Sequence, residues 1–462
     1  MKIEEFDRMI KGKTVAFCGI GGSNLPLALD FAKKGAVVTA RDKRSEERLG
    51  EEGKRLRAAG VRVVCGENYL EHLDEEIIFR TPGMKFTLPQ LAAARARGAA
   101  VTSEMEVFFS VCPCRIFAVT GSDGKTTTST VISKILKAAG KTVHLGGNIG
   151  EPLLPRVREM KGDDFAVAEL SSFQLISMRR SPDVAVVTNV TPNHLDVHKD
   201  MREYVGAKKN IILHQDAFGR AVLNADNEIT AAFAEDVRGQ CLLFSRRHPV
   251  EYGAWMDPDG EIWFSRGAEK TRVMNASDIR VPGKHNIENY LAAVCAVWGY
   301  AGTGDIAGVA REFPGVEHRN EFVREFEGVR YYNDSIGTTP SRTINGALSL
   351  FDRRILLIAG GYDKKIPFDP LGPAIAGKVK VLVLIGQTAD KIEKAVVSAP
   401  NYRPDKLRIF RAGSLEEAVA VCRREAERGD VVSLSPACAS FGMFPNFETR
   451  GERFRELVNA LK

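Results

Sequence analysis

The stretch Ile116-Phe117-Ala118-Val119-Thr120-Gly121-Ser122-Asp123-Gly124-Lys125-Thr126-Thr127-Thr128 constrains this chain more than any other. A β-prone apolar run stops at a glycine-containing turn. Lys-Thr follows, and Val131, Ile132, Ile135 and Leu136 then recur at helical spacing. The pattern reads as a strand, a phosphate-binding loop and a helix. Glycines let backbone N–H groups close around phosphate oxygens at the positive end of a helix. Lys125 can reach the β- and γ-phosphates, and the Thr126 hydroxyl can ligate Mg2+. The implied ligand is ATP or GTP, held by Gly121, Ser122, Asp123, Gly124, Lys125, Thr126 and Thr127. The spacing is shorter than G-x-x-x-x-G-K-[ST], whose first glycine would fall at Val119; the chain reads G-x-x-G-K-T from Gly121. A long segment precedes the loop and needs a task of its own.

At 462 residues the chain has room for about three domains. Hydrophobic content of 44% and charged content of 27% are those of a globular protein. No apolar run approaches the ~20 residues of a membrane span. The start, Met1-Lys2-Ile3-Glu4-Glu5-Phe6-Asp7, is too acidic and too poor in apolar residues for a signal peptide. The expected location is the cytoplasm, with no membrane partner. Eight scattered cysteines contain no C-x-x-C, and Cys112-Pro113-Cys114 is the one close pair, so reduced thiols are expected. The 65 basic and 59 acidic residues are interleaved, which disfavours a nucleic-acid surface and suits small anionic substrates.

Three α/β blocks are expected: 1–111, 112–314 and 315–462. Each reads as a Rossmann-like or doubly wound, mostly parallel sheet, with the phosphate loop in the central one. In the first, Thr14–Cys18 is a buried strand that ends in Gly19-Ile20-Gly21-Gly22-Ser23-Asn24. A helix from about Pro26 and a second strand, Ala36–Ala40, follow, and the latter ends at Arg41-Asp42. That is a βαβ unit with an acidic residue where a ribose binder has one. The third glycine of a dinucleotide fingerprint is replaced by Asn24, so a differently placed diphosphate fits better than NAD. In the second block, strands at Phe165–Leu170 and Val184–Thr188 place Glu169 and Asn189 at C-terminal strand ends, where ligands bind in such sheets. The third block has strands at Arg330–Tyr332, Ile355–Ala359, Val381–Ile385 and Val431–Leu434.

Glu169, directly after a buried strand, can share a divalent cation with Thr126. His194 lies in the polar loop Asn189–Asp196. Lys208, 14 positions on, carries no signal beyond that of a surface lysine. Asn286 and Asn289 lie on one face of a helix opened by Pro282-Gly283, suited to an adenine, a phosphate or helix capping.

Taken in order, Thr120–Thr128, Gly146-Gly147-Asn148-Ile149-Gly150, Glu169–Gln174, Asn189–Asp196, Gly283–Asn289, Glu317-His318-Arg319, Tyr332-Asn333-Asp334-Ser335 and Ser435–Phe447 resemble the Mur ligases of peptidoglycan synthesis. The resemblance spans nearly the whole chain and is weakest in the first block. Glu-Leu-Ser-Ser-Phe-Gln and Ser-Pro-Ala-Cys-Ala-Ser resemble the branch that adds D-glutamate to UDP-N-acetylmuramoyl-L-alanine.

That resemblance implies an ADP-forming ligase acting through an acyl phosphate. It implies Lys125, His194 and Lys208 as catalytic residues. Thr126 and Glu169 would hold one Mg2+, and His194 and a carbamylated Lys208 a second. Asn286, Asn289, Arg319 and Asp334 would contact ATP. Ser23, Asp42, Lys43, Gly83, Asn148 and Gln174 would hold the UDP substrate. Thr338, Lys364, Ser440, Phe441 and Phe447 would seat D-glutamate. The partners would be these small molecules, with the chain a monomer. Two positions depart from the family pattern: Ile336 stands where a lysine often follows Asn-Asp-Ser, and Lys43 replaces a small polar residue. The nearest other readings are a different amide ligase of the superfamily and a non-catalytic nucleotide sensor. No diamino-acid motif is visible in the third block, and the intact Lys125, Thr126, Glu169, His194 and Lys208 speak against a sensor.

Overall fold

Strands buried on both faces are written as continuous apolar runs, not alternations, and this chain has many. Val184–Val187, Ile355–Gly360 and Val431–Leu434 are buried at every position. A computed structural model describes residues 1–192, 198–351 and 354–462. Contacts divide the chain into two units: residues 1–278 with 287–310, and residues 279–286 with 311–462.

The first unit holds two sheets. The smaller contains β1 (Thr14–Cys18), β2 (Val37–Asp42), β3 (Arg62–Cys65), β4 (Ile77–Arg80) and β5 (Ala100–Thr102). Its order is β3-β2-β1-β4-β5, and every pairing is parallel. The larger contains β6 (Arg115–Thr120), β7 (Val143–Gly147), β8 (Phe165–Glu169), β9 (Val184–Val187), β10 (Arg220–Asn224), β11 (Gln240–Ser245), β12 (Tyr252–Met256), β13 (Glu261–Arg266) and β14 (Glu269–Asn275). Its order is β14-β13-β12-β11-β10-β9-β6-β8-β7. The strands are parallel from β7 through β12, and β13 and β14 extend the sheet as antiparallel strands. The chain leaves β6 towards β7 and β8 on one side and returns as β9 on the other. The C-terminal end of β6 is therefore a switch point, the place where parallel sheets bind ligands. One apolar core includes Phe17 and Phe79 of the small sheet and Ala118, Ala168 and Val187 of the large one.

The second unit contains β15 (Glu321–Phe326), β16 (Val329–Asn333), β17 (Ile355–Gly360), β18 (Val379–Ile385), β19 (Arg408–Arg411) and β20 (Val431–Leu434). The order is β15-β16-β20-β17-β18-β19, parallel except for β15. Apolar clusters cover both faces of this sheet. The fold class is as expected: mostly parallel sheets layered with helices, three sheets in all among the described residues. All eight cysteines are free, with the Cys112 and Cys114 sulfurs 3.5 Å apart. Among the described residues, no helix is long and apolar enough to cross a membrane.

Glu104 opens the helix Glu104–Val111 and is only 5% exposed. It accepts the Leu154 backbone N–H at 2.8 Å. Burial pushes its pKa up to about 7, against the pull of the Leu153 and Leu154 N–H groups. The native state thus keeps a proton that the unfolded chain releases near its ordinary value of 4.5, so stability falls as pH rises from there to about 7. Glu104→Gln keeps a carbonyl acceptor and cannot ionise. We expect it to match the parent near pH 5 and to exceed its unfolding midpoint near pH 8, as read by denaturant titration.

A candidate nucleotide site

The loop after β6 is shaped by two glycines that admit no side chain. Gly121 has φ +154°, and a Cβ there would lie 1.8 Å from Thr188 Oγ1. Gly124 has φ +79°, and its Cβ would lie 2.2 Å from Asn289 Oδ1. Gly124 is also the N-cap of the helix Lys125–Ala138 and supplies no side-chain cap, so the first-turn N–H groups face outward for a ligand. Neighbouring strand ends hold the loop in shape. Ser122 N donates to Asn189 O at 2.9 Å, Asp123 N to Asn189 Oδ1 at 3.0 Å, and Thr188 Oγ1 to Asp123 O at 2.6 Å. Thr128 Oγ1 donates to Asn289 Oδ1 at 3.2 Å, which ties Asn289 to the loop helix.

Further side chains converge here. Thr126 Oγ1 donates to Glu169 Oε2 at 2.7 Å, and Asn148 Nδ2 to Glu169 Oε1 at 2.9 Å. Glu169 is 2% exposed, and Gly147 (φ +98°) lets the chain of Asn148 lie against its backbone. Lys125 Nζ donates to the carbonyls of Gly121 and Ser122, both at 3.0 Å. Lys208 Nζ donates to the same Gly121 carbonyl at 2.7 Å. Lys208 is 2% exposed. Burial, reinforced by the charge of Lys125, pulls its pKa down to about 7. Lys208 is therefore no surface lysine, as the ordinary reading of its surroundings would have it.

His194 lies outside the described residues. Two neighbours that the sequence reading did not single out are Tyr204 and His198. Tyr204 OH lies 2.9 Å from Ser122 Oγ, and its ring is 4.7 Å from Lys208 Nζ. It precedes Lys208 by four, a same-face spacing that could have been read from the sequence. His198 stacks on Phe173 at 5.0 Å and hydrogen-bonds to Ser172 Oγ at 2.9 Å and Glu203 Oε2 at 3.1 Å.

In the small sheet, Asp42 accepts the N–H of Ile20 at 2.7 Å and that of Arg44 at 2.8 Å. It thereby braces the glycine turn after β1, and these hydrogen bonds with the Arg44 guanidinium hold its carboxyl below the usual range against burial. Asn24 sends its amide back to Gly19 O at 2.9 Å, a tie that a third glycine could not make. Ser23 caps the following helix without a side-chain bond. Lys43 is exposed and pairs with Glu67 at 3.3 Å, and Gly83 lies exposed in the turn after β4. Gln174 accepts the Ser171 N–H at 2.9 Å within a capping box.

Asn286, Arg319, Asp334, Thr338, Lys364, Ser440, Phe441 and Phe447 belong to the second unit. Asn286 Nδ2 donates to Pro282 O at 2.6 Å. Asp334 accepts Ser435 Oγ at 2.6 Å and Asn320 N at 3.2 Å. Burial pushes its pKa up to about 7, while those bonds and the charges of Arg319 and Arg342 pull the other way. Ile336, the departure from the family pattern, accepts from Arg342 Nη1 through its carbonyl at 3.2 Å. Lys364 Nζ lies 3.4 Å from Thr338 Oγ1. Phe441 is 54% exposed and meets Tyr362 edge-on at 5.8 Å. Ser440 is buried. Phe447 opens the last helix, with its carbonyl taking Ser335 Oγ at 2.8 Å.

Gly124→Ala would place a methyl on Asn289 in a left-handed backbone. We expect ATP affinity, measured by calorimetry, to fall at least about tenfold with a modest stability loss of about 1 kcal/mol.

Residues 119–297 match the Mur ligase middle domain, and residues 318–438 the Mur ligase glutamate ligase domain. A UDP-N-acetylmuramoylalanine–D-glutamate ligase of Acetivibrio thermocellus is 53% identical over 100% of this chain and 99% of its own length. Enzymes of the same name from Clostridium novyi and Clostridium botulinum are each 47% identical over 99% of both chains. Among solved structures, the UDP-N-acetylmuramate-alanine ligase MurC of Thermotoga maritima shares the fold at a TM-score of 0.57 and 18% identity, covering 97% of this chain and 100% of that one. A pseudomurein peptide ligase of Methanothermus fervidus does so at 0.54 and 18%, with the same coverage. The chain belongs to the Mur ligases and, within them, to the UDP-N-acetylmuramoylalanine–D-glutamate ligase family.

Proposed function

We propose that the chain joins D-glutamate to UDP-N-acetylmuramoyl-L-alanine at the expense of ATP, a step in peptidoglycan precursor synthesis in the cytoplasm. The observation that carries the chemistry is the convergence of Lys125, Thr126, Glu169 and Lys208 on one phosphate loop. A carboxylate is a poor acylating agent, and phosphorylation gives it a leaving group. The L-alanyl carboxylate attacks the γ-phosphorus of ATP, and ADP departs. The D-glutamate amine attacks the resulting acyl phosphate, loses a proton, and expels phosphate to leave the amide. Two anions meet in the first step. Lys125 and the outward N–H groups of the loop helix offset that charge where it develops.

The hard oxygen donors of Thr126 and Glu169 fit a Mg2+ ion, which would neutralise phosphate charge. Among the described residues no cluster of three His, Cys, Asp or Glu stands ready for a metal. A second ion would need His194 and a carbamylated Lys208. Lys208 suits that modification. With a pKa of about 7 it is substantially neutral near neutral pH, and only a neutral amine adds CO2. The family resemblance assigns Asn286, Asn289, Arg319 and Asp334 to ATP, and the tie of Asn289 to Thr128 of the loop helix supports that role for Asn289. Asn148, Gln174 and the turns carrying Ser23, Asp42, Lys43 and Gly83 form the nucleotide-sugar side. Lys364 with Thr338, Ser440, Phe441 and Phe447 suits the two carboxylates and the stem of D-glutamate. Domain boundaries near 111/112 and 314/315 and a monomeric state belong to the same reading.

The decisive assay supplies UDP-N-acetylmuramoyl-L-alanine, ATP and Mg2+ with a panel of amino acids and follows phosphate release. D-glutamate should stimulate turnover; stimulation by L-glutamate or a diamino acid in its place would refute the reading. Lys125→Ala should lower kcat by about 100-fold or more. In CO2-depleted buffer, activity should fall and return on adding bicarbonate. At a fixed concentration of dissolved CO2, the recovery should quicken as pH rises through about 7, because the neutral fraction of Lys208 grows in that direction.

A further inference from the structure

Arg80 ends β4 and is 1% exposed. Its Nη1 donates to the carbonyls of Pro82 at 3.3 Å and Met84 at 3.0 Å. Its Nη2 donates to the carbonyl of Phe173 at 3.1 Å and the hydroxyl of Ser177 at 2.6 Å. The Nε has no hydrogen-bond partner among the described residues. Among the described residues no carboxylate pairs with the guanidinium, and burial pulls its pKa below the usual arginine range against the more distant charge of Glu106. A buried cation without a counter-ion is unfavourable, and an apolar residue would fill the space at less cost. What the guanidinium holds is therefore informative.

One arm of the fork fixes the turn after β4, residues 81–84, which contains Gly83. That turn also touches the glycine turn after β1: a Cβ on Gly19 would lie 2.7 Å from Thr81 Cγ2. The other arm fixes Phe173 and Ser177, 93 and 97 positions along the chain. Phe173 lies between Glu169 and Gln174 in sequence, on the segment that leaves β8 for the reacting site. A planar guanidinium can hold two segments at a set spacing in a way that a lysine cannot.

We propose that Arg80 is a positioning residue for the nucleotide-sugar substrate, locking the turn after β4 to the Phe173–Ser177 segment so that the UDP end and the reacting carboxylate keep a fixed span. This rests on the proposed ligase reading. Arg80 touches carbonyls and a hydroxyl of the protein and acts through them.

The test uses the full chain carrying Arg80→Met and Arg80→Lys, with the parent assayed in parallel. Loss of charged hydrogen bonds should raise KM for UDP-N-acetylmuramoyl-L-alanine about tenfold or more in Arg80→Met, with a smaller rise in Arg80→Lys. KM for ATP should stay within about twofold, a split that general loosening of the fold would not produce. Ser177→Ala removes a single bond and settles the matter should Arg80→Met not fold; it should raise the same KM by about threefold, again sparing ATP. An unchanged nucleotide-sugar KM, or equal rises for both substrates, overturns the proposal. A parent enzyme inert with this nucleotide sugar overturns the ligase reading instead.

Discussion

Two lysine side chains donate to the carbonyl oxygen of Gly121, Lys125 from within the loop and Lys208 from the helix Met201–Leu213. Burial, reinforced by the charge of Lys125, holds the pKa of Lys208 down at about 7. Gly121 has no room for a side chain because Thr188 closes in to hold the loop. The Tyr204 ring lies under Lys208 and offers its π face to the cation. The carboxylate of Glu169 is held by the neutral donors Thr126 and Asn148, and among the described residues no carboxylate pairs with Lys208. An arriving polyphosphate therefore meets positive charge at the loop, while Glu169 stays available to a cation a short way off. Acid and base are separated by construction.

Much of this was legible in the sequence because the determining interactions are local. A strand, two glycines and Lys-Thr fix the loop within a few residues of each other. Continuous apolar runs marked β1, β8, β9, β17, β18 and β20 to within about two residues, since burial on both faces leaves an unambiguous signature. Ser414 caps the helix Leu415–Glu425, its hydroxyl accepting the Glu417 N–H at 3.2 Å. The Glu417 carboxylate, however, takes the N–H of Gly413 at 2.7 Å rather than that of the cap.

The rest was hidden because it depends on distant partners. β5 has three residues, and β14 buries only Val273 and Met274 after a run of four polar residues. The burial of Lys208 is set by elements that approach from far along the chain, so no window around it could reveal the shift. Arg80 looks like a charge ending a strand until Phe173 and Ser177 are brought to it. Asn24 reads as a damaged fingerprint, whereas its amide does the work of holding the turn.

Asp42 shows why a position can be right while its role stays open. An acidic residue at the end of the second strand is where a ribose binder places one. Here the carboxylate already accepts two backbone N–H groups and the guanidinium of Arg44. A ligand hydroxyl donating to it would compete with bonds that hold the glycine turn in place. The turn itself is the better contact surface, because its exposed glycines leave the backbone open to a diphosphate. The acidic residue fixes the shape of the loop, as Asn148 holds Glu169 and Tyr204 lies against Lys208. In each case a polar side chain next to a candidate contact sets its geometry.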